Sequence, residues 1–301
     1  MRRWRSIVWV GLVWTAMMWT GGCDRSSQAE EQFALRSEIW PEDPQRIVSL
    51  APTATELLFE LGVGEHVVGV TRYCDWPPEA EEIATIGGGL GPDLEALLAA
   101  EPDLVVGVIA GLDEELAERL DGASISWGFV AMDDRATVEA SIHQLGRWLG
   151  REGRADEIVA RLTAGLDAES SRAQDALGGE ATTALMVFDR EPAVAAGPGT
   201  YADELLSLMG LENVLSRGAR DYPVLDVEQI LALNPDVIID VDVAGDSEQV
   251  LSYWGRFSSL KAVSNRRVVV VTDPVVTRPG VRMDQGLRAL RLHLEGTARE
   301  P

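Results

Sequence analysis

The chain has 301 residues, 46% of them hydrophobic, and a formal charge of −23. That length suits two globular domains, large enough to need neither disulfide nor metal as a staple. So large an acidic excess argues against nucleic acid, whose phosphates require a basic surface, and against a body lying flat on anionic lipid.

Arg2, Arg3 and Arg5 precede an uncharged stretch from Ser6 to Gly22, followed by Cys23 and Asp24. A basic start and a short apolar run predict an export signal over residues 1–22. Thr20-Gly21-Gly22-Cys23 resembles a bacterial lipobox, in which small residues fit the peptidase and the Cys23 thiol receives the lipid. A spanning anchor is the alternative, since the run is only slightly short of a membrane span. On either reading the body lies outside the cytoplasm, tethered to a membrane. Loss of the three arginines takes the charge from −23 to −26. With Cys23 lipidated, Cys74 is the last thiol and no internal disulfide can form. Its plain reading is a small half-buried side chain, and its sharper one a soft metal ligand.

Residues 23–45 read as a polar tether that becomes a short strand near the fold. The N-terminal lobe, residues 46–133, opens with "RIVSLAP" as a buried strand. "TATELLFELG" predicts a helix with Thr53 and Glu56 as a capping box and Gly62 as its left-handed stop. "HVVGVT" is a strand. "LEALLAAE" is a helix capped by Asp93 and ended by Pro102, and "DLVVGVI" has the continuous apolar run of a parallel strand. "LDEELAERL" is a helix and "SWGFVAM" a strand. Residues 134–178 form a helical linker. Val138, Ile142, Leu145 and Leu149 line one face, Gly150 and Gly153 break the run, and a second helix spans 154–177. The C-terminal lobe, residues 179–301, restarts the alternation. Its strands are "TALMVF", "AVAAG", "DVIIDVD" and "RRVVVVT", and its helices are "YADELLSLMG", "DVEQILALN" and "DQGLRALRLHLEG". Strand–helix alternation predicts an α/β fold of two Rossmann-like lobes with parallel sheets, joined by a long interdomain helix.

The lobes repeat each other. "DLEALLAAEPDLVV" (93–106) and "DVEQILALNPDVII" (226–239) share Asp, Glu, Leu, Ala, Pro and Asp at an offset of 133 residues. Glu56-Leu57-Leu58 and Gly62 recur as Glu204-Leu205-Leu206 and Gly210. Glu95 and Glu228 sit two residues after the capping aspartates, where a carboxylate is favoured by the helix dipole. Their pairing suggests more: pseudo-symmetry would set them on one side of the molecule, for a dimeric partner with two basic pockets, most naturally arginines.

"RIVSLAPTATELLFELGVGEHVVGVTRYCDWPPEA" (46–80), both repeats and "DPVVTRPGVR" (273–282) together resemble the cobalamin and iron-siderophore family of ABC-transporter substrate-binding proteins, closest to its cobalamin-binding branch. The resemblance implies a monomeric receptor, without a cofactor, that holds a metal-chelate small molecule between its lobes. It implies that Glu95 and Glu228 dock on the permease dimer. It places Tyr73, Phe188, Tyr222, Asp273 and Arg278 at ligand-contacting positions. Trp76, in the loop "TRYCDWPP" after a strand, is a further cleft candidate, because open α/β sheets place ligands in such loops. Facing aromatics would grip a flat macrocycle at little entropic cost.

The sequence departs from the cobalamin binder at Gly89 and Val108, where that branch carries tryptophans. The ligand classes are therefore a corrinoid, a ferric siderophore or haem, the last with Tyr73 as an axial ligand. His66, His143 and His293 lack metal-ligand spacing and read as surface or core residues. "GPGTYA" (197–202) fits G-x-G-x-x-A but reads as a tight turn at the cleft rim. With no nucleophile elbow, Walker loop or zinc signature, no enzyme activity is expected.

Overall fold

The computed structural model describes residues 33–36, 40–41, 43–88, 91–177, 182–215, 221–243 and 245–299. The expected export signal, Cys23, the tether up to residue 32, and Gly89 lie outside them. Among the described residues no helix is long and apolar enough to cross a membrane.

The first lobe is built from β1 (Phe33–Arg36), β2 (Ile47–Ser49), α1 (Pro52–Glu60), β3 (Val67–Gly69), α2 (Leu94–Ala99), β4 (Leu104–Val108), α3 (Glu114–Gly122) and β5 (Ser126–Val130). Two helices follow, α4 (Arg135–Trp148) and α5 (Glu152–Leu177). The second lobe has β6 (Thr182–Arg190), β7 (Ala193–Ala195), α6 (Tyr201–Leu208), β8 (Leu211–Asn213), β9 (Val224–Leu225), α7 (Val227–Leu233), β10 (Val237–Val241), α8 (Ser247–Gly255), α9 (Lys261–Ser264), β11 (Val268–Val271) and α10 (Met283–Arg299).

The sheets run β1-β5-β4-β2-β3 and β11-β10-β6-β7-β9, with β8 also on β6. The parallel parts, β5-β4-β2-β3 and β11-β10-β6-β8, share one strand order, so the sequence repeat is a repeat of topology. Neither sheet is parallel throughout. β1 pairs antiparallel to β5, and β7 pairs antiparallel to both β6 and β9. Only Glu191 and Pro192 separate β6 from β7, too few residues for the crossover that a parallel return needs.

Strand residues alternate between two cores. Ile47, Leu104, Val106, Ala184, Met186, Val237 and Ile239 face a core that includes Ile142 and Leu145 of α4, Ile158 and Leu162 of α5, and Leu287 and Leu290 of α10. Val48 and Val105 face outward onto Leu97, Leu116 and Leu120, while Leu185 and Ile238 face Ile230, Val250 and Trp254. Burial on both faces explains the unbroken apolar runs. The inner core runs continuously through both lobes and the connecting helices.

The matched aspartates have matched roles. Asp93 and Asp226 cap α2 and α7, accepting from Glu95 N and Ala96 N and from Gln229 N respectively. Asp103 accepts from the backbone N of Gln45 and Arg46, and Asp236 from that of Thr183, each joining the start of one strand to its neighbour.

Two local expectations differ from the structure, and one helix was not expected. Thr53 and Glu56 form no capping box: α1 starts at Pro52 with Ala51 as its N-cap, so Thr53 lies inside the first turn, and Glu56 pairs instead with Arg282 of the other lobe. Gly153 lies inside α5, and the turn is made at Gly150, whose φ of +63° suits glycine. The stretch "DSEQVLSYWG", passed over in the sequence reading, forms α8, capped by Asp246 and anchored by buried Val250 and Trp254.

Candidate functional site

A cleft of about 810 Å³ lies between the lobes. The first lobe contributes the ends of β4 and β5 and the start of α1: Val108, Ile109, Ala131, Met132, Asp133 and Pro52. The second contributes Phe188 at the end of β6, Val194, Tyr201, Tyr222 and the Thr277–Pro279 turn. The crevice thus opens beyond the carboxyl ends of the parallel strands, where backbone groups are free of the ladder. A second hollow of about 660 Å³ shares Ala51, Pro52, Val108 and Ala110 with it and extends along the first lobe to Thr71 and Tyr73.

The structure brings four of the expected positions to this continuous depression. Tyr222 and Phe188 meet edge to face at 5.9 Å, an aromatic wall in the second lobe. Tyr73 lines the neighbouring hollow and, like Tyr222, is 52% exposed. Arg278 lines the cleft but is occupied. It holds Asp75 with both terminal nitrogens, donates to the Tyr73 carbonyl at 3.4 Å and lies 3.6 Å from Glu56. Those hydrogen bonds hold the Asp75 carboxyl below its ordinary value. Val108, where the resemblance expected an aromatic, lines both hollows.

Trp76 and Asp273 stand outside both linings. Trp76 lies beneath the Arg282 guanidinium, 4.6 Å from its ring centroid. Asp273 is exposed and caps the Pro274–Thr277 turn by accepting from Val275 N at 3.0 Å.

Sequence reasoning missed the cleft's acids. Burial, then Asp134 and Asp221, push the Asp133 carboxyl up. Burial, then Asp133 and Asp221, push the Tyr222 phenol up. Among the described residues the ionisable groups lining the cleft, beyond its tyrosines, are Asp133, Asp221 and the occupied Arg278. Asp133 follows the end of β5 and Asp221 adjoins Tyr222, so the strand-end rule could have found the first.

Other candidates resolve into structural roles. Cys74 is buried, with the Thr55 and Thr71 hydroxyls each 3.1 Å from its sulfur. Among the described residues no three His, Cys, Asp or Glu side chains converge as metal ligands. His143 faces Asp156 at 3.4 Å, and His293 lies 2.8 Å from the Ala289 carbonyl. In "GPGTYA" the Asp203 carboxylate accepts from Gly199 N at 2.8 Å, and Thr200 caps α6. A carboxylate thus holds the backbone amide at this helix start, where an anion could otherwise sit.

Glu95 and Glu228 are exposed in the first turns of α2 and α7, each two residues past its capping aspartate.

The chain is similar to known proteins along most of its length. A family model described as periplasmic binding protein matches residues 47–275. The vitamin B12-binding protein of Salmonella typhimurium is 29% identical over 235 residues, spanning 76% of this chain and 84% of that protein. An uncharacterized ABC transporter substrate-binding lipoprotein of Bacillus subtilis, YvrC, is 26% identical over 306 residues, 95% and 96% of the two chains. Among solved structures, the periplasmic heme-binding protein RhuT from Roseiflexus sp. RS-1 superposes with a TM-score of 0.74 at 26% identity, covering 85% of this chain and 99% of that one.

Proposed function

The chain belongs to the periplasmic binding protein family, and from that premise we propose that it captures cobalamin or a related corrinoid between its lobes and delivers it to an ABC importer. The protein is a substrate-binding component of an ABC importer, not an enzyme, and its task is capture without a resident cofactor.

The observation that carries the ligand reading is the character of the cleft. Its walls are apolar and aromatic, through Met132, Phe188, Val194 and Tyr222, and suit the face of a flat macrocycle. Its charged groups are acceptors, Asp133 and Asp221, while its lining arginine is neutralised by Asp75. A corrinoid edged with neutral amides offers N–H donors to those acceptors. Haem carries carboxylates, which would meet like charge. One observation favours haem as the second reading: Tyr73 stands half-exposed beside the cleft, where a phenolate could ligate iron. A ferric siderophore is the third ligand of the same class.

Delivery would use Glu95 and Glu228, one from each lobe, on two arginine pockets of a permease dimer. The body would be held at the membrane by a lipid on Cys23 after removal of residues 1–22. The B. subtilis relative, which this chain matches over nearly its whole length, is described as a lipoprotein and supports that reading.

Titration of the purified soluble body with cyanocobalamin, haemin and ferric chelates tests the ligand. A saturable absorbance change with cyanocobalamin alone is expected. Saturation by haemin with no response to the corrinoid overturns the corrinoid reading. Uptake should be lost in E95A/E228A while ligand affinity is kept.

A further inference from the structure

Six residues recur unchanged between 93–103 and 226–236, and the fold accounts for only three of them. Asp93 and Asp226 cap helices, Asp103 and Asp236 hold backbone amides of a neighbouring strand, and Pro102 and Pro235 are buried beyond the helix ends. The other three pairs are Glu95 with Glu228, Leu98 with Leu231, and Ala99 with Ala232. All six of these residues are exposed. They fall at i, i+3 and i+4 and therefore share one helix face. The opposite face is buried, through Leu97 at 0% and Ile230 at 1%.

Leu98 is 50% exposed and Leu231 38% exposed. A single exposed leucine needs no explanation. Two at the same register of a diverged repeat, each one turn beyond an exposed glutamate, share a requirement that packing does not impose. Neighbouring positions of the repeat vary: Ala96 corresponds to Gln229, and Glu101 to Asn234.

We propose that Glu95-Leu98-Ala99 and Glu228-Leu231-Ala232 are two copies of one docking face. The partner is a two-fold symmetric protein with two equivalent seats. Each seat pairs a cation, for the glutamate, with an apolar contact, for the leucine, and closes over the small alanine. The inference rests on the reading of Glu95 and Glu228 as permease contacts and adds the apolar half of each seat. The carboxylates steer encounter and lose force with salt. The leucines give an adhesion that salt does not screen.

The test is the affinity of the intact protein for the host's ligand-transporting permease, reconstituted in nanodiscs, at low and high salt. L98A and L231A should each weaken docking roughly fivefold, by similar factors at both salt concentrations. E95A/E228A should weaken it chiefly at low salt and flatten the salt dependence. Unchanged affinity in L98A/L231A, with E95A/E228A impaired, overturns the apolar half and leaves glutamate docking intact. Unchanged affinity in E95A/E228A overturns the docking reading itself. A loss confined to one leucine overturns the equivalence of the two seats. Cyanocobalamin affinity and the thermal transition of each variant report whether the fold is preserved.

Discussion

Glu56 and Arg282 form a two-pronged ion pair across 226 residues of sequence, with Arg282 Nε donating to Glu56 Oε2 at 3.0 Å and a second, shorter bond from Nη2 to Oε1. One partner lies in the middle of the first helix of the first lobe, and the other immediately precedes α10 of the second. Arg278 stands 3.6 Å from the same carboxylate and binds Asp75 of the first lobe. Two acids of one lobe thus face two arginines of the other beside the cleft. The repeat adds a counterpart. Glu204, equivalent to Glu56, accepts from the backbone N of Arg135 at 2.6 Å, at the start of α4.

Removing Arg282 leaves the buried Glu56 carboxylate with only the more distant Arg278, at 3.6 Å, as compensation. The Glu56 side chain is 2% exposed and that of Arg282 is 11% exposed. R282A should therefore cost about 3–5 kcal/mol of stability, measured by urea unfolding of the soluble body. E56L/R282M, which removes both charges, should recover most of that loss. A loss well under 1 kcal/mol in R282A would show that the pair does not join the lobes.

The Asp75–Arg278 contact gives this junction a pH dependence. Asp75 is held below its ordinary value of 3.8, so the folded protein binds its proton less readily than the unfolded chain. Its contribution is present in full above about pH 4 and is lost as pH falls through the depressed folded value. Wild type should accordingly exceed D75N in stability at neutral pH, and the difference should shrink toward nothing under strong acid. A difference that stays constant from neutral pH to pH 3 would contradict this assignment.

If ligand enters the cleft as proposed, Tyr222 should have the larger part in contacting it. It is 52% exposed, whereas Phe188 supports it from behind at 5.9 Å. Truncation of a half-exposed aromatic that is covered on binding costs about 2 kcal/mol, roughly thirtyfold in affinity. Y222A should weaken cyanocobalamin binding by that factor, and D273A should leave it near wild type, because Asp273 caps a turn outside the cleft lining. Equal losses in the two variants would move the site toward the Asp273 turn.

What the sequence disclosed is what local pattern controls. Apolar runs marked β4 and β10, Asp93 and Asp226 marked helix starts, and the repeat announced two similar lobes. Thr53 and Glu56 show the limit. Thr-x-x-Glu before an apolar helix has the form of a capping box, but the helix starts one residue before Thr53, and only the assembled lobes reveal that Glu56 pairs with Arg282. Asp273 illustrates the same limit for the site: its position follows the family pattern, while its side chain is spent on Val275 N. Asp133 and Asp221 gained meaning only when the lobes brought them to Tyr222.

Closure around ligand should be small. α5 has 26 residues and, at 1.5 Å each, spans about 39 Å. It is no free strut, because Ile158, Leu162 and Leu166 are buried in the core shared by both lobes, and Glu169 holds Arg291 of α10 at 3.0 Å. A large rotation would have to break that packing together with the Glu56–Arg282 pair, whereas strand-hinged receptors need change only a few backbone torsions. Small-angle scattering and crystal structures with and without cyanocobalamin should therefore differ by a rotation of only a few degrees, and R282A should enlarge it. A rotation of several tens of degrees in the wild type would mean that the shared core yields on binding and that the helices are not a rigid spine.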